Sequence, residues 1–192
     1  MKNQTLVVTP WHDPDQLASF LDAWQIEVYD PRLMLQADSH GEGCAVTKNN
    51  GVSNALLRGA EIVVVLDDDC YPCDATPNLD VLIEHHEAAL EPQSVPMFEA
   101  VTDPPSRGTP FAEHDITYPV AASMGFWREV PDYCAVRQLA FNCKPMQFSQ
   151  AAIYGRYFPL CGMNLAYRPA EWRRWCEFIN VPRFDDIWMG WL

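Results

Sequence analysis

The sequence predicts an α/β domain with a mostly parallel central sheet flanked by helices. Three observations carry this expectation. A strand, a helix and a second strand follow one another within residues 6–29, a compact unit that favours parallel pairing. Ile62–Leu66 is apolar without alternation, as expected of a central strand buried on both faces. Strand and helix signals keep alternating as far as Leu90, with no internal repeat and no dividing linker. At 192 residues and 48% hydrophobic content the chain is large and apolar enough for one domain with a real core.

Taken in order, Leu6-Val7-Val8 reads as a short buried strand ending at Thr9-Pro10. Asp13 can cap a helix whose first position suits Pro14, with Gln16 placed as a capping-box partner. Leu17, Phe20, Leu21 and Trp24 recur at helical spacing. Ile26-Glu27-Val28-Tyr29 reads as the second strand, closed by Asp30-Pro31. Gly41-Glu42-Gly43 marks a loop. Residues 47–58 follow as a helix with Val52, Ala55 and Leu56 on one face and Gly59 as its stop. After the central strand Asn78 caps a helix bearing Leu79, Leu82, Ile83 and Leu90. The proline-rich stretch 91–119 reads as mostly irregular. Beyond it, 154–158 suits a strand and 169–179 a helix with Trp172, Trp175 and Cys176 on one side.

Charge narrows the function. The net charge is −13, and residues 1–100 carry all of it, with 4 Lys/Arg against 17 Asp/Glu; residues 101–192 balance at 9 and 9. An acidic chain is a poor partner for nucleic acid, where phosphate neutralisation supplies most of the affinity. It is equally poor for an anionic membrane. No apolar run approaches the ~20 residues of a spanning helix, and Met1-Lys2-Asn3-Gln4-Thr5 does not open a signal peptide. Seven cysteines without framework spacing suit free thiols in a reducing cytoplasm. Cys70-Tyr71-Pro72-Cys73 could be a redox pair or half a zinc site, but no second pair stands at zinc spacing, and incidental thiols are the better reading.

The chemistry concentrates where the central strand ends. Asp67-Asp68-Asp69 follow Leu66 directly, at the carboxyl edge where open α/β folds bind ligands. Three adjacent carboxylates repel one another unless a cation or donors compensate. Hard oxygen ligands suit Mg²⁺ or Mn²⁺, which commonly bridge to substrate phosphates. A solvated acidic turn is the plainer alternative. Lys48-Asn49-Asn50-Gly51, with Asn54-Ala55, opens the preceding helix, where a cation and amides at a helix N-terminus can hold a diphosphate; a surface helix start is the plainer alternative. In the second half, Gly162 and Asn164 suit a tight loop, and Asp185-Asp186 precede an aromatic segment as a capped helix start would.

Four segments in register carry a resemblance. Asp67-Asp68-Asp69-Cys70 ends the central strand. Gly125, Trp127 and Pro131-Asp132-Tyr133 form a Gly-x-Trp-x-x-x-Pro-Asp-Tyr stretch. Phe158-Pro159-Leu160-Cys161-Gly162-Met163-Asn164-Leu165-Ala166 is the third, and Arg183-Phe184-Asp185-Asp186-Ile187-Trp188-Met189-Gly190-Trp191 the fourth. Together they resemble the reversibly glycosylated polypeptides, the family that includes the plant UDP-arabinopyranose mutases. The resemblance implies a glycosyltransferase A-type fold and a single nucleotide-sugar-binding domain over 1–192. Residues 1–100 would form its nucleotide and metal half, and 101–192 its sugar and acceptor half. It implies Thr9 and Pro10 lining the nucleotide site, Asp30 near the base, Lys48, Asn49 and Asp68 beside the nucleotide, Asp67 and Asp69 on Mn²⁺ or Mg²⁺, and Asp185 and Asp186 facing the sugar. The implied activity is metal-dependent interconversion of the pyranose and furanose forms of UDP-arabinose, in a cytosolic protein that assembles with itself or its relatives. Transfer to a separate acceptor, or a non-catalytic subunit role, are the alternatives. Two departures bear on them. Arg107-Gly108-Thr109-Pro110-Phe111-Ala112-Glu113-His114-Asp115-Ile116 aligns with the family's modified run, but His114 stands where the glycosylated arginine would be. The family also continues past the fourth segment, so the resemblance implies a C-terminally truncated or minimal chain.

Overall fold

The structure is a computed structural model that describes residues 4–72, 78–97, 114–118, 120–125, 160–169, 178 and 180. Its first strand, β1 (Thr5–Trp11), is longer than the Leu6-Val7-Val8 core that its apolar residues mark. The helix α1 (Pro14–Trp24) starts as its sequence dictates: Asp13 accepts from the backbone N–H groups of Asp15 and Gln16, and Leu17, Phe20 and Trp24 are buried. Gln16 does not close a capping box. Its amide reaches forward instead, donating to the carbonyl of Asp68.

The second strand is displaced from its expected place. Residues 26–29 form no strand; Val28 is half-exposed and Tyr29 is 89% exposed. The chain leaves α1 through Gln25 in the left-handed region, φ 52°. The following residues are spent on the return to the sheet. Pairing with β1 begins only at Leu33, as β2 (Leu33–Ala37), parallel and in register Val7↔Leu33. The β-α-β unit is therefore real, but a later apolar run supplies its second strand.

Helix α2 (Cys44–Leu57) starts three residues before the expected 47–58. Nothing in Cys44-Ala45-Val46 signals a cap. The start is held from outside by Asp38, whose carboxylate accepts from the N–H groups of Glu42 and Gly43. The Thr47 hydroxyl bonds back to the Gly43 carbonyl at 3.0 Å. Val52 and Ala55 are buried, whereas Leu56 faces solvent. Strand β3 (Ile62–Leu66) is buried at every residue. Helix α3 (Leu79–Leu90) is capped by Asn78, as expected.

Beyond α3 the structure adds strands that local signals do not announce. Within the stretch expected to be irregular, β4 (Gln93–Met97) and β5 (His114–Tyr118) pair antiparallel as a two-stranded ribbon. Among the described residues both of its strands are edges, where Pro96 is tolerated. Strand β6 (Ala122–Met124) pairs with β7 (Asn164–Tyr167), which in turn pairs antiparallel with β3. The expected tight loop shrinks to a turn at Gly162-Met163, and Asn164 already belongs to the strand. The strand expected over 154–158 and most of the helix expected over 169–179 lie outside the described residues.

The main sheet runs β2-β1-β3-β7-β6. Its strand pairings leave β7 as the strand that runs against the other four, so the sheet is mixed but mostly parallel. Alternate β3 residues point to opposite faces. Val63 and Val65 join Leu6, Val8, Val52 and Ala55 under α2. Val64 and Leu66 join Phe20, Trp24, Leu79 and Ile83 under α1 and α3. Covering both faces is why the strand reads as unbroken apolar sequence. The outcome is the helix-flanked α/β architecture expected of a nucleotide-sugar transferase. No helix among the described residues is long and apolar enough to cross a membrane.

Candidate functional site

The carboxyl ends of β1 and β3 and the amino end of β7 meet at one edge, because Leu66 pairs with Asn164 across the antiparallel seam. Asp67, Asp68 and Asp69 emerge there. Asp67 remains tied to the sheet through its N–H, which donates to the Met163 carbonyl at 3.0 Å, and the Cys70 N–H turns back onto the Asp67 carbonyl. The turn is held from α1 as well, by Gln16 on the Asp68 carbonyl and by the Trp24 indole N–H on the Cys70 carbonyl at 2.8 Å.

The three carboxylates differ in environment. Asp67 is paired with Lys48, whose Nζ stands 3.0 Å from both carboxylate oxygens. Burial still dominates and pushes the Asp67 carboxyl up to about 6, against the pull of that ammonium. Asp68 is also raised, first by burial and then by the neighbouring Asp69 charge. Its buried Oδ2 has no hydrogen-bond partner among the described residues. Asp69 is exposed. Among the described residues no three acidic, His or Cys side chains converge into a closed metal centre. The donor set is nonetheless one of hard oxygens, including an orphaned buried one, and that chemistry fits Mn²⁺ or Mg²⁺.

Lys48 does more than balance Asp67. It is only 3% exposed, donates to the Gly162 carbonyl at 3.2 Å and lies over the Phe178 ring, 5.2 Å from its centre. Its neighbour Asn49 donates to the Phe178 carbonyl at 2.8 Å and accepts from the Phe178 N–H at 2.7 Å. The pair thus draws the third motif and residue 178 onto α2. Thr9 and Pro10 are buried near the end of β1, and Thr9 Oγ1 has no partner among the described residues.

Asp30 is not brought to this edge. It precedes β2, at the amino end of that strand, and forms an ion pair with Arg32 at 2.8 Å. Hydrogen bonds from Arg32 hold its carboxyl below the usual carboxylate range. It borders a separate cleft of about 390 Å³ with Trp24, Tyr29, Asn78 and Asp80. The position beside Pro10 at the carboxyl edge belongs to Gln36 instead. Asp185 and Asp186 lie outside the described residues, as do Arg107, Trp127 and Cys73. Cys70 is a structural thiol: its Sγ donates to the Met163 carbonyl at 3.2 Å, and burial raises it far above its ordinary range.

One group that motif reasoning passes over stands at the same edge. His86 of α3 lies between Ser123 Oγ, 3.1 Å from Nδ1, and Asn164 Oδ1, 2.8 Å from Nε2. Burial holds its pKa below the usual histidine value. The backbone carbonyl of Asn164 accepts from the Gly125 N–H at 2.9 Å. Its side-chain Nδ2 sits over the Gly125 α-carbon so closely that any Cβ there would overlap it at 2.1 Å. The only local hint was a histidine on the buried face of a helix, because its partners lie 37 and 78 residues away.

Residues 8–174 match the family model described as reversibly glycosylated polypeptide. The chain is 27% identical over 209 residues to a probable UDP-arabinopyranose mutase 1 of Pisum sativum, with 97% of this chain and 56% of that protein covered. It is 26% identical over 211 residues to UDP-arabinopyranose mutase 3 of Arabidopsis thaliana, covering 97% and 57%. UDP-arabinopyranose mutase 1 of Oryza sativa subsp. japonica is 24% identical over 208 residues, again with 97% and 56% covered. The chain therefore spans a little over half the length of these relatives. No solved structure matches significantly.

Proposed function

The chain belongs to the reversibly glycosylated polypeptide family, and from that premise we propose that it binds a UDP-sugar and interconverts the pyranose and furanose forms of UDP-arabinose. The observation that carries the reading is the shared edge. Asp67, Asp68 and Asp69 at the end of β3 stand beside Gly125 and Asn164, so three of the four segments that carry the resemblance adjoin.

Asp67 and Asp69 would hold Mn²⁺ or Mg²⁺, with Asp68 toward the nucleotide. When bound, the ion neutralises the diphosphate as the sugar–phosphate bond breaks. Lys48 keeps Asp67 ionised and in place, and ties the turn to α2. Thr9 and Pro10 bring the end of β1 alongside the nucleotide, and Asn49 anchors the segment at Phe178 that follows the third motif. Asp185 and Asp186 are assigned to the sugar, as stabilisers of an oxocarbenium-like centre or as a base. A cytoplasmic location and assembly with copies or relatives of this chain belong to the same proposal.

Labelled UDP-arabinose with Mn²⁺ is the direct test. A ring-isomer product supports the mutase reading. A labelled acceptor instead makes the protein a transferase, the alternative favoured by His114 in place of the family's modified arginine. Calorimetry tests the metal: UDP binding should require Mn²⁺ and be lost in Asp69→Ala. Equal UDP affinity with and without metal removes the metal from the proposal.

A further inference from the structure

The His86 contact has a direction. An amide oxygen can only accept, so the 2.8 Å contact with Asn164 Oδ1 requires the proton on His86 Nε2. In the neutral ring Nδ1 is then an acceptor, and the Ser123 hydroxyl 3.1 Å away donates to it. The chain runs Ser123 Oγ–H to Nδ1, and Nε2–H to Asn164 Oδ1. With Oδ1 facing Nε2–H, the amide of Asn164 turns over only if His86 also changes tautomer. Its NH₂ is left above Gly125, where there is no side chain to displace it. No acceptor for Nδ2 occurs among the described residues, although Asn164 is only half-buried.

The sheet order tells what that NH₂ meets. Thr9, Pro10 and the β1–β2 side lie to one side of β3, whereas Asn164 and Gly125 lie to the other. If the diphosphate sits at Asp67, Asp68 and Asp69 between them, the group carried past it from the nucleotide falls at Asn164. We propose that His86 is a positioning residue, orienting the Asn164 amide so that its NH₂ donates to a hydroxyl of the sugar in the bound nucleotide-sugar. This rests on the UDP-sugar reading above. It adds a sugar-specific donor and the buried residue that aims it.

The test separates the sugar from the nucleotide. Affinities for UDP and for UDP-arabinose, both with Mn²⁺, are measured by calorimetry on the wild type, His86→Asn, His86→Gln and Asn164→Ala. Asparagine reaches only as far as Nδ1 and loses the bond to Asn164. Glutamine places an N–H donor near the Nε2 position and restores it. His86→Asn and Asn164→Ala should each weaken UDP-arabinose binding about tenfold, the size expected for one directed hydrogen bond, and leave UDP binding unchanged. His86→Gln should recover most of the loss. The His86→Asn/Asn164→Ala double variant should be no weaker than Asn164→Ala alone, because one acts through the other. Equal losses for UDP and UDP-arabinose, or failure of glutamine to rescue, overturn the proposal while sparing the UDP-sugar reading. A wild type that binds neither nucleotide overturns both. The ring can also be examined in the wild type without ligand: ¹⁵N-histidine NMR should report His86 as the neutral Nε2–H tautomer, and an Nδ1–H tautomer or an imidazolium near pH 7 overturns the assignment.

Discussion

Lys48 and Asp67 show how single residues at this edge bind stability to chemistry. A lysine with 3% exposure is tolerable only because its ammonium meets a carboxylate, a carbonyl and an aromatic face. Lys48→Met would keep the stem and remove the charge, stranding Asp67 in a site that already pushes its carboxyl up to about 6. Loss of one partner of a buried pair should cost about 3–5 kcal/mol, read as a lower urea midpoint at neutral pH. His86 supplies a pH signature of its own. Burial lowers its pKa in the fold, so the unfolded chain takes up a proton below about 6.5 that the folded chain refuses. The stability it contributes is complete above that value and declines as pH falls toward its lowered folded pKa, by at most about 1.4 kcal/mol per pH unit. Asp67 acts in the opposite sense, costing stability as pH rises from 3.8 to about 6. Subtracting the melting curve of His86→Gln from that of the wild type isolates the histidine: the difference should shrink as pH drops from about 7 to about 5.5.

At the scale of elements, the packing of α2 on β1 depends on Gly51. A Cβ there would stand 2.4 Å from Val8 Cγ1 and 3.2 Å from the Cβ of Gln36. Alanine is worth about 1 kcal/mol over glycine in an exposed helix, so Gly51→Ala would stabilise a free α2. Here overpacking should prevail and destabilise by about 1–3 kcal/mol, visible as a lower denaturant midpoint. The same contrast between local and distant causes explains what the sequence disclosed. Helices α1 and α3 were legible because Asp13, Pro14 and Asn78 signal within one turn. Strand β3 was legible because burial on both faces leaves an unbroken apolar run. The position of β2 was not, since residues 26–29 have strand-like composition and only the path out of α1 excludes them. Strands β4 to β7 form by antiparallel pairing across long separations, which no local pattern encodes. Of the candidate site, the acidic triplet was readable from the strand it ends. The ties of Asn49 to Phe178 and of His86 to Asn164 span 129 and 78 residues and become visible only in the fold.

For the whole molecule the question is what a charge of −13, confined to residues 1–100, does to the fold. Three of those 17 acids are the triplet at the end of β3, and Asp67 is already neutralised by Lys48. Of the others, Asp13, Asp15, Asp22, Glu27 and Glu42 are exposed and repel one another through solvent. Such repulsion weakens the compact state and is screened over about 10 Å at 0.1 M salt. Raising NaCl should therefore raise the melting temperature gradually, without saturating at low concentration. A cation held at the triplet acts by mass action instead, stabilising as RT ln(1 + [L]/Kd). MnCl₂ matched to NaCl in ionic strength should accordingly give the larger shift, approach its effect at millimolar concentration, and gain further when UDP is added. In Asp69→Ala the MnCl₂ and NaCl curves should coincide while the gradual rise with salt persists. Coincidence in the wild type would assign all of the stabilisation to diffuse screening and leave the triplet without a bound cation.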